Sequence, residues 1–138
     1  MNKTISKSVF AGIIATAAMT IIMLMAPNIG MPEMAPWKIL SSALIVSVVE
    51  GWILHFVMGI LLAFGYSYVF APSVNIQNTW IKGVVFGIAA VVVAQIGMKL
   101  MGMVFEMPPM DGSIPMRLIA MLIGHIVFGI VTVKIIGK

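Results

Sequence analysis

Long apolar runs separated by short polar clusters set the organisation of this chain. Residues 7–26, 44–70, 81–104 and 115–136 each hold at least 20 mainly apolar positions, enough for a helix to cross a hydrocarbon core about 30 Å thick. The runs are continuous rather than alternating, which favours helices over barrel strands. The pattern therefore predicts an all-α integral membrane four-helix bundle. The first run is longer than a signal-peptide core and no A-x-A-like site follows it, so it reads as the first span.

The connections differ in character. Pro27 to Trp37, extended by an interfacial segment from Lys38, and Phe105 to Ile114 are rich in Pro, Met and Gly and read as ordered loops. Ala71 to Thr79 is a polar turn with Trp80 at its interface. Comparing the halves at a shift of 75 pairs Lys7 with Lys82, Gly12 with Gly87 and Met23 with Met98. A shift of 73 pairs Glu33-Met34-Ala35-Pro36 with Glu106-Met107-Pro108-Pro109, and a shift of 70 pairs the His-x-Val-x-Gly-Ile segments at His55 and His125. One two-helix hairpin is thus repeated, as residues 1–75 and 76–138 of a single domain. Two spans per repeat keep both hairpins in one orientation, which implies a pseudo-two-fold axis along the membrane normal.

Composition agrees with the pattern. The chain of 138 residues is 62% hydrophobic and 9% charged, far from the make-up of a water-soluble domain, so lipid must cover much of it. Its basic residues sit mostly near span ends, as interfacial anchors do, which argues against nucleic acid as a partner. With the N-terminus cytoplasmic, Lys3, Lys7, Lys82, Lys134 and Lys138 lie inside and Lys38, Lys99 and Arg117 outside. That excess places both termini in the cytoplasm and the Met-, Glu- and Pro-rich loops outside. There is no cysteine, which removes disulfide and thiolate chemistry.

Gly51-Trp52-Ile-Leu-His55 in the second span and His125-Ile-Val-Phe-Gly129 in the fourth resemble motifs of uncharacterised bacterial and archaeal four-helix integral membrane families. That resemblance implies the architecture; the expected location is the cytoplasmic membrane of a prokaryote. It brings no activity with it.

Three groups of residues are placed where they could carry chemistry. His55 and Gly59, and likewise His125 and Gly129, are four apart and share a helix face, so each glycine leaves a depression beside an imidazole. Two imidazoles from facing helices suit the axial positions of a haem b, which would make the protein an electron-transfer module. The alternative is that each histidine bonds across a helix interface and each glycine permits close packing.

Methionine is the second group, with 14 residues, among them Met19, Met23, Met25, Met31, Met34, Met98, Met101, Met103, Met107, Met110, Met116 and Met121 in the outer half or outer loops. Thioether sulfur is a soft ligand for Cu(I), and Met31, Met34, Met98, Met101, Met107 and Met110 supply it in clusters. The alternative is flexible apolar packing. The third group is Glu50 and Lys99, placed near the outer ends of the second and third spans, where they could pair or snorkel to the interface.

No Ser-His-Asp set, phosphate loop or metal triad points to an enzyme. The expectation is a non-enzymatic membrane protein: a haem module, a Cu(I)-transfer protein, a small-solute channel or carrier acting as a homo-oligomer, or a subunit of a larger membrane complex.

Overall fold

The computed structural model describes residues 3–137, and every element in it is helical. The elements are α1 (Lys3–Met25), a 3₁₀ turn (Ala26–Ile29), α2 (Pro36–Leu44), α3 (Val48–Gly65), a π-helical turn (Tyr66–Phe70), α4 (Ala71–Ser73), α5 (Thr79–Gly102) and α6 (Ile114–Ile136). Four helical stretches are long and apolar enough to cross a membrane: Lys3–Ile29, Val48–Ser73, Thr79–Gly102 and Ile114–Ile136. Their outward positions carry bulky apolar side chains such as Phe10, Ile21, Ile53, Leu61, Val92 and Leu100. A surface of this kind suits lipid contact.

The helices run up and down between two ends. At the terminal end the start of α1 meets the end of the second span through Ser8 Oγ and Ser67 Oγ at 2.7 Å. There too the Lys134 ammonium stands 3.4 Å from the ring centre of Trp80, and Phe86 meets Tyr66 and Phe70 at centroid distances of 4.9 and 5.1 Å. The loop end carries the two long connections, 26–47 and 103–113.

α1 and α6 are the central pair and pack on each other; α3 lies against α1, and α5 against α6. Small residues bring the backbones together within each hairpin. A side chain at Gly12 would collide with the Ile60 backbone, and one at Gly83 or Gly87 with the backbone of Ile130 or Ile126, the close approach that small residues permit between membrane helices. Between the hairpins, Gly124 of α6 receives Met19 and Met23 of α1.

This packing order departs from the expected two-fold relation between hairpins. An exchange of α1 with α5 and of α3 with α6 would require α3 and α5 to pack as α1 and α6 do, yet α3 and α5 lack such a contact along their lengths. The hairpins sit side by side, with α1 against α6 and the ring contacts joining them at the terminal end.

The expected second span at 44–70 also divides. α2 ends where Ile45 adopts a left-handed backbone (φ 55°, ψ 47°), and α3 begins only at Val48. Ser47 and Glu50 fix that start as a capping box: Ser47 Oγ accepts from the Glu50 backbone N–H, and the Glu50 carboxylate accepts from the Ser47 backbone N–H at 2.7 Å. Two orphan donors of the first turn are satisfied in this way. α2 folds back antiparallel to α3, and Gly51 makes room for it, since a side chain there would strike the Trp37 carbonyl.

Candidate functional site

The buried face of α3 is Gly51, His55, Gly59 and Ala63, a run at four-residue spacing that places all four on one stripe. Met121, His125, Gly129 and Val133 form the matching buried stripe of α6. Both histidines therefore point inward, 5% and 7% exposed.

Their surroundings differ. His55 Nε2 lies 3.1 Å from Thr20 Oγ1 of α1. Its ring sits between Trp37, Trp52 and Phe56, at centroid distances of 6.0, 6.3 and 6.0 Å. Trp37 and Trp52 themselves stack at 4.1 Å with planes 11° apart. Across the molecule, His125 Nδ1 donates to the Met121 carbonyl of its own helix at 2.9 Å. That bond fixes the proton on Nδ1 when the ring is neutral. Gln95, which aligns with Thr20 at a shift of 75 in the sequence, instead donates to Met121 Sδ at 3.6 Å.

The depressions beside the histidines are filled. Thr16 and the Gly12 carbonyl occupy the space at Gly59, and Gly83 and Gly87 occupy that at Gly129. Neither of the two cavities at the loop end is lined by a histidine. As packed, these residues do not fit a porphyrin: the glycine clefts belong to neighbouring helices, and Thr20 and three aromatic rings enclose His55.

Thr16 and Thr132 are fully buried, and their hydroxyls lack a hydrogen-bond partner among the described residues. The Thr16 hydroxyl is aimed at Gly59. Such a group is costly in an apolar interior.

Sulfur gathers at the loop end instead. Met23 and Met25, at the end of α1, border a cavity of about 270 Å³ together with Met31 and Met34 of the following loop. Ile22 and Ile123 complete much of its wall, and no charged residue lines it. Glu33, between the two loop methionines, is committed to Lys38 at 2.6 Å on the surface. A second cavity of about 460 Å³ lies beside the end of α5, bordered by Met98, Met107 and Met110 with Ile96, Gln95 and Lys99. Met101 lines neither.

Sequence reasoning placed Met31 with Met34, and Met107 with Met110, but did not join Met23 and Met25 to the first pair. The cue was available in the 3₁₀ turn signal at Pro27 and Gly30, which reverses the chain onto the end of α1: the Gly30 backbone N–H returns to the Ala26 and Pro27 carbonyls. Glu50 and Lys99 are not partners. Glu50 caps its own helix, and Lys99 has no ion pair among the described residues. Ser47-x-x-Glu50 is itself the capping pattern and would have assigned that acid from sequence.

A helical protein with four stretches able to cross a membrane, and with cavities at one end, is the class that this geometry defines. Residues 2–137 match the model of a family of unknown function, DUF6789, and the chain belongs to that family. No curated protein and no solved structure matches it.

Proposed function

We propose that this is an integral membrane protein that binds a soft monovalent cation, Cu(I), as cargo in the cavity bordered by Met23, Met25, Met31 and Met34. Four methionines from two chain segments, all bordering one uncharged space, carry the reading. Thioethers are neutral, soft donors, so they select Cu(I) over the hard and borderline cations that carboxylate and imidazole sites would take. Two of the four lie on the loop that follows α1, which lets the site open toward water without moving a span. Excess Lys at the terminal end supports an orientation with that end in the cytoplasm and the thioethers outside, where a cation would be received. Transfer to another protein then needs no pathway through the helices.

The internal repeat supports the reading from a second direction. Met23 and Met34 match Met98 and Met107, and these too border a single cavity. In the second hairpin, however, Lys99 lines the same space, and its ammonium would repel a bound cation. One site per chain is the expected stoichiometry.

Titration of the purified protein with Cu(I) against a chromogenic competitor tests this. One equivalent should bind, and Met31→Leu with Met34→Leu should weaken binding about tenfold or more, equivalent to at least ~1.4 kcal/mol. Absence of binding above the detergent blank, or binding indifferent to both substitutions, would sink the reading. Haem held by His55 and His125 would require the aromatic enclosure of His55 to open and Gly59 and Gly129 to lose their helix neighbours. A Soret band in protein made with ample haem would bring it back.

A further inference from the structure

The second cavity holds a cation of its own, Lys99, that has no ion pair among the described residues. Its walls are mostly apolar, from Met98, Met107, Met110 and Ile96, and its two polar side chains are Gln95 and Lys99. It is an open groove of about 460 Å³ with Gln95, Ile96, Lys99 and Met110 exposed, and its apolar wall with a few placed polar groups has the make-up of a small-molecule site. Lys99 has neither an ion pair nor a hydrogen bond among the described residues, and the Gln95 amide has only a long contact to sulfur. The last turn of α5 leaves that ammonium free: the Met103, Val104 and Phe105 N–H groups already return to the Leu100 and Met101 carbonyls. A second cation stands at the rim, where Arg117 donates to the carbonyl of the wall residue Met110 at 3.2 Å.

Depth narrows the choice of ligand. Lys99 is three residues from Gly102, the last residue of α5, or about 5 Å along the axis at 1.5 Å per residue, which is headgroup level for a span of this length. Gln95 is one turn deeper, on the same face. Below and beside them α5 exposes Val92, Val93 and Ile96, so the cavity continues into a surface suited to an alkyl chain.

We propose that this cavity binds a single-chain amphiphile with one anionic head, a fatty-acid carboxylate or a lysolipid phosphate, whose head meets Lys99 and the Gln95 amide while its chain lies along α5. A charge-assisted bond between the ammonium and the head is the source of selectivity for the anion. The apolar wall selects the chain.

Native mass spectrometry of delipidated protein, titrated in neutral detergent with palmitate, lysophosphatidylglycerol, hexadecanol and inorganic phosphate, tests it. Palmitate or lysophosphatidylglycerol should bind one to one, and whichever binds tighter identifies the head as carboxylate or phosphate. Lys99→Gln should weaken that binding about tenfold while Lys99→Arg stays within about threefold, and the uncharged hexadecanol should be weak and indifferent to both. The proposal is overturned if hexadecanol binds as well as palmitate, if Lys99→Gln changes nothing in monodisperse protein, or if inorganic phosphate binds as tightly as the amphiphiles. Met31→Leu with Met34→Leu should leave palmitate binding unchanged, so this inference and the copper reading stand or fall separately.

Discussion

At the loop end, the cavity of Met23, Met31 and Met34 and the cavity of Met98, Met107 and Met110 are bordered by methionines that partly align between the two halves of the sequence, yet one is uncharged and the other holds Lys99. The same asymmetry runs deeper into the hairpins. Thr20 reaches across to His55, whereas its counterpart Gln95 bypasses His125 for a methionine sulfur. Gly59 is met by a threonine hydroxyl, whereas Gly129 is met by backbone. The two hairpins share a buried histidine–glycine stripe and differ in what surrounds it. A single polar replacement in a thioether-lined space changes the sign of the charge it can accept.

The largest effect should come at the glycines, where the comparison is steric. Gly129→Ala faces the Gly83 carbonyl and the Gly87 backbone, which cannot rotate away, so unfolding in mixed micelles should show a loss of about 2–3 kcal/mol. Gly59→Ala should cost less, because the atom in its way is the Thr16 hydroxyl. Pairing it with Thr16→Ala should recover most of the loss, and a double variant no better than Gly59→Ala would show that the two glycines are equivalent after all.

Charge comes next. Replacing Lys99 with methionine should let the second cavity take Ag(I), a Cu(I) surrogate that needs no reductant, and raise the stoichiometry from one to two with an affinity gain at that site of about tenfold or more. Calorimetry with Ag(I) reads both numbers. An unchanged single site would place the difference between the cavities somewhere other than Lys99.

The histidine partners give a smaller difference. Thr20→Val removes the bond to His55 and should destabilise by about 0.6 kcal/mol, typical of a polar contact between membrane helices. Gln95→Leu, which loses only a sulfur contact, should fall within about 0.3 kcal/mol of the parent on the same urea or SDS titration. Equal losses would mean that both side chains act alike.

The smallest effect is expected between α2 and α3. Ile45 is 93% exposed and left-handed, a conformation that costs a side-chain-bearing residue roughly 1–2 kcal/mol. Glycine removes that cost but adds about 0.5–1 kcal/mol of unfolded-state freedom. Ile45→Gly should therefore stabilise by about 0.5 kcal/mol, visible as a small rise in melting temperature; a fall would show that the isoleucine side chain anchors the turn.

The four long helices were legible because length and continuity of apolar runs are what a bilayer selects for. The inward histidines followed from four-residue spacing with glycine. The separate α2 did not, because the apolar run continues through Leu44, Ile45 and Val46 and the break is made by a left-handed isoleucine, a residue that gives no turn signal. Which methionines meet was equally hidden, since it depends on a 3₁₀ turn folding the loop over the end of α1. The packing order of the hairpins depends on which faces of α1 and α6 fit together, with Gly124 receiving Met19 and Met23, and no periodicity within a single helix encodes that match.

The stacked indoles of Trp37 and Trp52 have an optical consequence. Two such chromophores held face to face at 4.1 Å couple their transitions, so the pair should give a near-ultraviolet circular-dichroism signature that Trp80, alone at the opposite end, does not. Trp37 follows Met34 by three residues on the same strap of chain. A ligand that shifts the Met31–Met34 loop enough to move the start of α2 should tilt one indole against the other, and the protein would report the event in its own spectrum without a label.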